Sequence, residues 1–206
     1  MVAVLALALP ATVFAALPAD VAVVAGKPVK RHVFNHWMFV IVKSASSPGE
    51  PAIVPTDPPR FSRCVAQVRA QIPTLRHTPA KTLRSDCAVL FTATSQNVLD
   101  FLIRADWQDA QAAADGIVVT TAQVERAFEV GKRRNYQNPA LFRRYLRRTG
   151  QTVADVKFRV RANLIRGALL TNEHLTSAAL DAELTTRFKP QTACARFYVM
   201  SDCAGG

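Results

Sequence analysis

The chain has 206 residues, 50% of them hydrophobic and 20% charged, with 26 Lys and Arg against 15 Asp and Glu for a net charge of +11. That composition excludes a wholly disordered chain and supplies enough apolar side chains for one or two small cores. The charge draws the surface toward polyanions, among them nucleic acid, anionic lipid and acidic envelope polymers, without choosing between them.

The first residues, MVAVLALALPATVFAALPAD, are apolar for about sixteen positions and then turn polar, with small residues around Val13, Ala15 and Ala16. This is the pattern of a secretory signal, so residues 1–16 are expected to be a signal peptide, with an uncleaved anchor as the alternative. The stretch is short for a membrane span, which takes about 20 residues. No Lys or Arg precedes Lys27, so Met1 is also compatible with a start inside a longer signal.

Pro18–Val29 reads as a short strand and turn, its valines ended by Gly26, Lys27 and Pro28. Lys30–Ser44 places Val33, Phe34, Trp37, Met38, Val40 and Ile41 around most of a helix, which is therefore expected to be largely buried. His32 and His36 stand four apart, but Val33 occupies the place where the zinc-protease pattern has Glu. A structural role is expected for both, with no metal. Ser44–Pro59 holds five prolines and reads as a linker or exposed loop. Phe61–Ile72 follows as a short helix carrying Cys64, Val65 and Val68.

The longest regular segment runs from Leu83 to Asp115. Leu83, Cys87, Leu90, Phe91, Val98, Phe101, Leu102 and Ala105 recur at three and four residues, the period of one helix face. About 33 residues at 1.5 Å each span roughly 50 Å, enough for a scaffold on which the rest packs. Gly116 supplies the stop. Asp100, Asp106 and Asp109 read as the polar face of this helix.

Thr121–Arg134 repeats a helical pattern with Val124, Ala127 and Phe128. Asn138 caps and Pro139 opens the next helix, with Leu141, Phe142, Tyr145 and Leu146 inward and Gly150 closing it. Thr152 and Asp155 have capping-box spacing before a helix whose expected apolar face is Val153, Val156, Val160 and Leu164, widened by Phe158, Ile165 and Leu169. A last helix spans Ser177–Phe188 and ends before Pro190.

Cys64, Cys87, Cys194 and Cys203 are an even set in a chain that reads as exported, the setting in which disulfides persist. Three connectivities exist. The local one, 64 with 87 and 194 with 203, is favoured because a hairpin through Pro73 and Pro79 brings the first two together. A zinc site is the weaker alternative, since neither pair has short ligand spacing.

PADVAVVAGKPVKRHVFNHW at Pro18–Trp37, VLDFLIRADW at Val98–Trp107 and GQTVADVKFRVRANLI at Gly150–Ile165, with FSRCVAQ and Cys87, are similar to one family. They resemble the SurA N-terminal-like chaperone domain of secreted foldases of the SurA and PrsA type. The resemblance implies an all-α, elongated, multi-helix, trigger-factor-like domain with a short N-terminal strand, covering residues 17–190. It further implies an N-terminal segment packed on a distant C-terminal helix, and an apolar groove for unfolded or nascent exported polypeptides. In such foldases a parvulin-type peptidyl-prolyl isomerase domain follows, whereas residues 191–206 read only as a short tail closed by Cys194 and Cys203. Isomerase activity is therefore not expected, and a remnant isomerase is the last of three alternatives.

Phe101, Trp107, Phe128, Phe142 and Tyr145 are candidates to line the groove, against the competing reading that helical periodicity simply marks core. Trp107, off the main stripe and beside the polar run RADWQD, is the candidate expected to be most exposed. The first alternative to a chaperone is a basic envelope protein, in which Arg143, Arg144, Arg147 and Arg148 form a face for acidic polymers or lipid surfaces. The competing reading of that face is a solvated surface. Export and the lack of a recognisable motif argue against nucleic acid. No Gly-rich phosphate loop, G-x-S-x-G elbow or Cys-x-x-Cys pair is present, so neither catalysis nor a cofactor is expected. A homodimer formed by exchanging helices is compatible with so open a fold.

Overall fold

The structure, a computed structural model, describes residues 19–205; the expected signal peptide lies outside them. In chain order the elements are β1 (Asp20–Val24), β2 (Lys27–Lys30), α1 (Arg31–Ala45), α2 (Ser62–Gln71), α3 (Ala80–Ala114), α4 (Thr121–Asn135), α5 (Pro139–Thr149), α6 (Val153–Asn172), α7 (Ser177–Phe188) and β3 (Thr192–Cys194). The described residues are mostly helical, with one small sheet.

The helix ends follow their local chemistry. Thr120 and Thr152 each complete a capping box, with Gln123 and Asp155 respectively. Asn138 accepts from the Ala140 and Leu141 amides ahead of Pro139. Gly116 and Gly150 adopt φ of 68° and 70°, the left-handed stop that a side chain resists. At Gly150 an added Cβ would also meet the Phe39 ring at 2.5 Å, so the turn from α5 into α6 sits directly on α1.

The two ends of the described chain meet in one antiparallel sheet of order β2-β1-β3. Asp20 pairs with Lys30, and Ala22 pairs with both Val29 and Cys194. Ala25 and Gly26, both at positive φ, make the tight hairpin turn, while Pro28 and two lysines blunt the β2 edge against further pairing. The expected strand-and-turn and the expected tail are thus parts of one sheet. The tail is tied down further by the Cys194–Cys203 disulfide, by buried Tyr198, and by a two-pronged pair in which Arg104 donates to Asp202 at 2.7 and 3.2 Å. The second disulfide joins Cys64 on α2 to Cys87 on α3, Cα atoms 6.1 Å apart. Two disulfides fit an extracytoplasmic setting. Among the described residues no helix is long and apolar enough to cross a membrane.

Helix α3 is the axis, as its length implied, yet it is buried on more than the expected stripe. Leu99, Ile103 and Trp107 are as deeply covered as Val98 and Leu102. The run from Arg104 to Gln111, whose Asp106 and Asp109 read as part of a polar face, is where other elements dock. Asp106 and Asp109 pair with Lys27 of β2, Asp109 also accepts from Arg161 of α6 at 2.6 Å, and Gln111 accepts from Arg187 of α7 at 2.8 Å. Polar side chains here serve attachment, which periodicity cannot separate from solvation.

Helix α6 also departs from its expected face. Ile165 and Leu169 are buried, Val156, Val160 and Leu164 are half-covered, and Val153 is exposed. The reason is that α6 packs against both α3 and α4, so its apolar residues divide between two seams. Leu141 of α5, expected inward, is likewise exposed.

Candidate client-binding surface

Two clusters of rings lie against α1. Phe34, Phe61, Phe91 and Tyr198 meet at centroid separations of 5.3 to 6.4 Å, edge to face except for the tilted Phe61–Phe91 pair, and form a closed core. Trp37, Phe101 and Phe158 form a second cluster, with Trp37 4.9 Å from Phe101 and Phe101 5.7 Å from Phe158. This one opens to the surface.

On one side of Trp37 is a pocket of about 330 Å³ lined by Trp37, Val40, Ile41, Val98 and Phe101, with Arg159 and Gln151 at its polar end. On the other side is a cleft of about 430 Å³ floored by Val29, Val33, Leu102 and Phe158 and rimmed by His36, Asp106 and Asp155. Ile41, in the wall of the first pocket, stays 41% exposed, and Phe39, on another side of α1 against the Gly150 turn, stays 39% exposed. Helix α1 carries more apolar surface than its neighbours cover, and Ile41 brings part of that excess to the pocket.

The arm of α5 and α6 is held on α1 by polar contacts that border this surface. Ser44 donates to the Thr149 carbonyl at 3.4 Å, and His36 Nε2 lies 2.9 Å from Asp155 Oδ2. Burial works to raise the Asp155 carboxyl, but the Thr152 amide and hydroxyl and then His36 outweigh it and hold the group below its ordinary value. A carboxyl lowered in this way stabilises the fold fully above the ordinary carboxylate pKa. That contribution drains as pH falls through the lowered value, because the unfolded chain takes up the proton first. Asp155→Asn is therefore expected to be less stable than the parent at neutral pH, with the gap closing below about pH 4. Denaturant midpoints of both proteins across that range check it; a gap that stays constant into acid contradicts it.

Only Phe101 of the five groove candidates lines this surface. Trp107 is 1% exposed, its indole N–H donating to Thr192 Oγ1 at 2.8 Å, because β3 and α7 close over it. Phe128 and Phe142 are buried against each other where α4 meets α5, their centroids 5.8 Å apart. Tyr145 is half-buried beside Tyr136 and accepts from Gln151 Nε2 at 2.8 Å. These three pack where α4 meets α5 and do not line this surface. Trp37, Val40, Ile41 and Phe158, read only as helix-packing residues, take their place. The signal available for them was the near-complete apolar circumference of α1, wider than one buried face requires.

Arg143, Arg144, Arg147 and Arg148 are all exposed on α5. Among the described residues no group of three or more metal-ligating side chains is gathered. Compared with known protein families, curated proteins and solved structures, the chain matches none.

Proposed function

We propose that this protein is an exported chaperone of the holdase type, binding extended apolar segments of unfolded polypeptides at the Trp37–Phe101 surface without catalysing a reaction. The observation that carries the reading is the open apolar pocket between α1 and α3, with part-exposed Ile41 in its wall. An extended chain presents side chains on alternate sides, and pockets on either side of Trp37 suit such side chains, with flexible clients gaining affinity mainly from buried apolar area. The similarity of the Pro18–Trp37, Val98–Trp107 and Gly150–Ile165 stretches to the SurA N-terminal-like domain supports the same reading, as does the disulfide pair.

Ile41→Glu tests it. The side chain is exposed, so the substitution is expected to shift stability by less than about 0.5 kcal/mol. It places a charge at the pocket mouth and is expected to remove most of the suppression of client aggregation read by light scattering. Undiminished suppression by a folded Ile41→Glu protein contradicts the site.

A further inference from the structure

Where α1 ends and α5 makes its last two turns, a cleft of about 320 Å³ is lined by Lys43, Ser46, Ser47, Arg144, Arg147 and Arg148. We propose that this cleft is a binding site for a phosphate group, separate from the apolar surface.

The charge balance carries the inference. Two helix C-termini converge here, shown by the Ser44 hydroxyl donating to the Thr149 carbonyl. Each brings the equivalent of about −0.5 charge. Glu50 adds one carboxylate at the rim, where it accepts from the Ser47 amide at 3.0 Å. Against about two negative equivalents stand four cations, none of which has a carboxylate partner among the described residues. The surplus is not spread out. Arg144, Arg147 and Arg148 are spaced i, i+3 and i+4, so they share one side of α5 and repel one another, a cost that capping the helix end alone does not require.

The residue types narrow the ligand. Guanidinium groups present paired N–H donors that match two oxygens of a phosphate, and convergence of three of them with an ammonium favours a compact, multiply charged oxyanion over a single carboxylate. The Ser47 hydroxyl adds a neutral donor on the cleft wall. A phosphate free in solution and a phosphate in a lipid headgroup offer the same oxygens, so the test separates them.

The full mature chain is titrated with inorganic pyrophosphate by calorimetry, and is co-sedimented with phosphatidylcholine vesicles with and without phosphatidylglycerol. The variant carries Arg144→Gln, Arg147→Gln and Arg148→Gln, all at exposed positions. A control of equal net charge carries Arg76→Gln, Lys81→Gln and Arg84→Gln, exposed around the start of α3 and outside the cleft. The cleft variant is expected to lose about ten-fold in affinity and the control less than about two-fold. Pyrophosphate binding with that contrast assigns a free phosphate; binding only to phosphatidylglycerol vesicles with that contrast assigns a headgroup. Equal losses in both variants, or no binding of either probe by the parent, overturn the proposal.

Discussion

Trp107→Ala is expected to destabilise the protein by about 3–5 kcal/mol, the range for truncating a fully buried large aromatic side chain. The indole sits in the last third of α3 with 1% of its surface exposed, and its N–H reaches Thr192, whose hydroxyl in turn donates to the Phe188 carbonyl at 2.9 Å. One side chain thereby links the axial helix, the end of α7 and the strand that closes the sheet. Trp107→Phe separates the two contributions. It keeps most of the apolar contact and loses the hydrogen bond, so its cost is expected near 1 kcal/mol. Urea unfolding of the three proteins measures both. A Trp107→Ala protein within about 0.5 kcal/mol of the parent would behave as a surface substitution does and would contradict the packing.

The second large effect belongs to the disulfides. Cys64 and Cys87 are 23 apart in sequence and Cys194 and Cys203 are 9 apart. In the chain-entropy model, closing these loops stabilises by about 3.5 and about 2.7 kcal/mol respectively. Cys64→Ala with Cys87→Ala is therefore expected to cost more than Cys194→Ala with Cys203→Ala. The first pair holds α2 against α3 beside the Phe61 and Phe91 rings, so its loss also loosens that core. Denaturant midpoints of the two double variants give the order. Neither variant differing from the parent would contradict a structural role for the bonds.

What the sequence made legible is the helices, and the reason is local. Asn138 before Pro139, Thr152 before Asp155, Gly116 and Gly150 each fix a helix end through a contact within a few residues, so the boundaries hold to within a few positions. What it left hidden depends on distant chain. β3 is three residues long, too short for any alternation, and it becomes a strand because β1, far away in sequence, offers its free edge. That same pairing is what covers Trp107, so a residue judged exposed from its polar neighbours is interior. Asp106 and Asp109 beside it attract Lys27 and Arg161 rather than water. The candidate surface was half legible for a related reason. Phe101 stands out on α3, but Trp37 and Ile41 share a helix that is apolar nearly all round, and only the placement of α5 and α6 decides which part stays open.

The opening left on α1 gives client binding a direct assay. The parent protein and Ile41→Glu are added to a chemically denatured, aggregation-prone enzyme as it is diluted from denaturant, and light scattering is followed at low and at high salt. Apolar contacts survive screening whereas exposed charge contacts weaken with ionic strength. Suppression by the parent that persists in high salt and is largely lost in Ile41→Glu is the result predicted. Suppression confined to low salt, or none at any ratio, would contradict a holdase working through the Trp37–Phe101 surface.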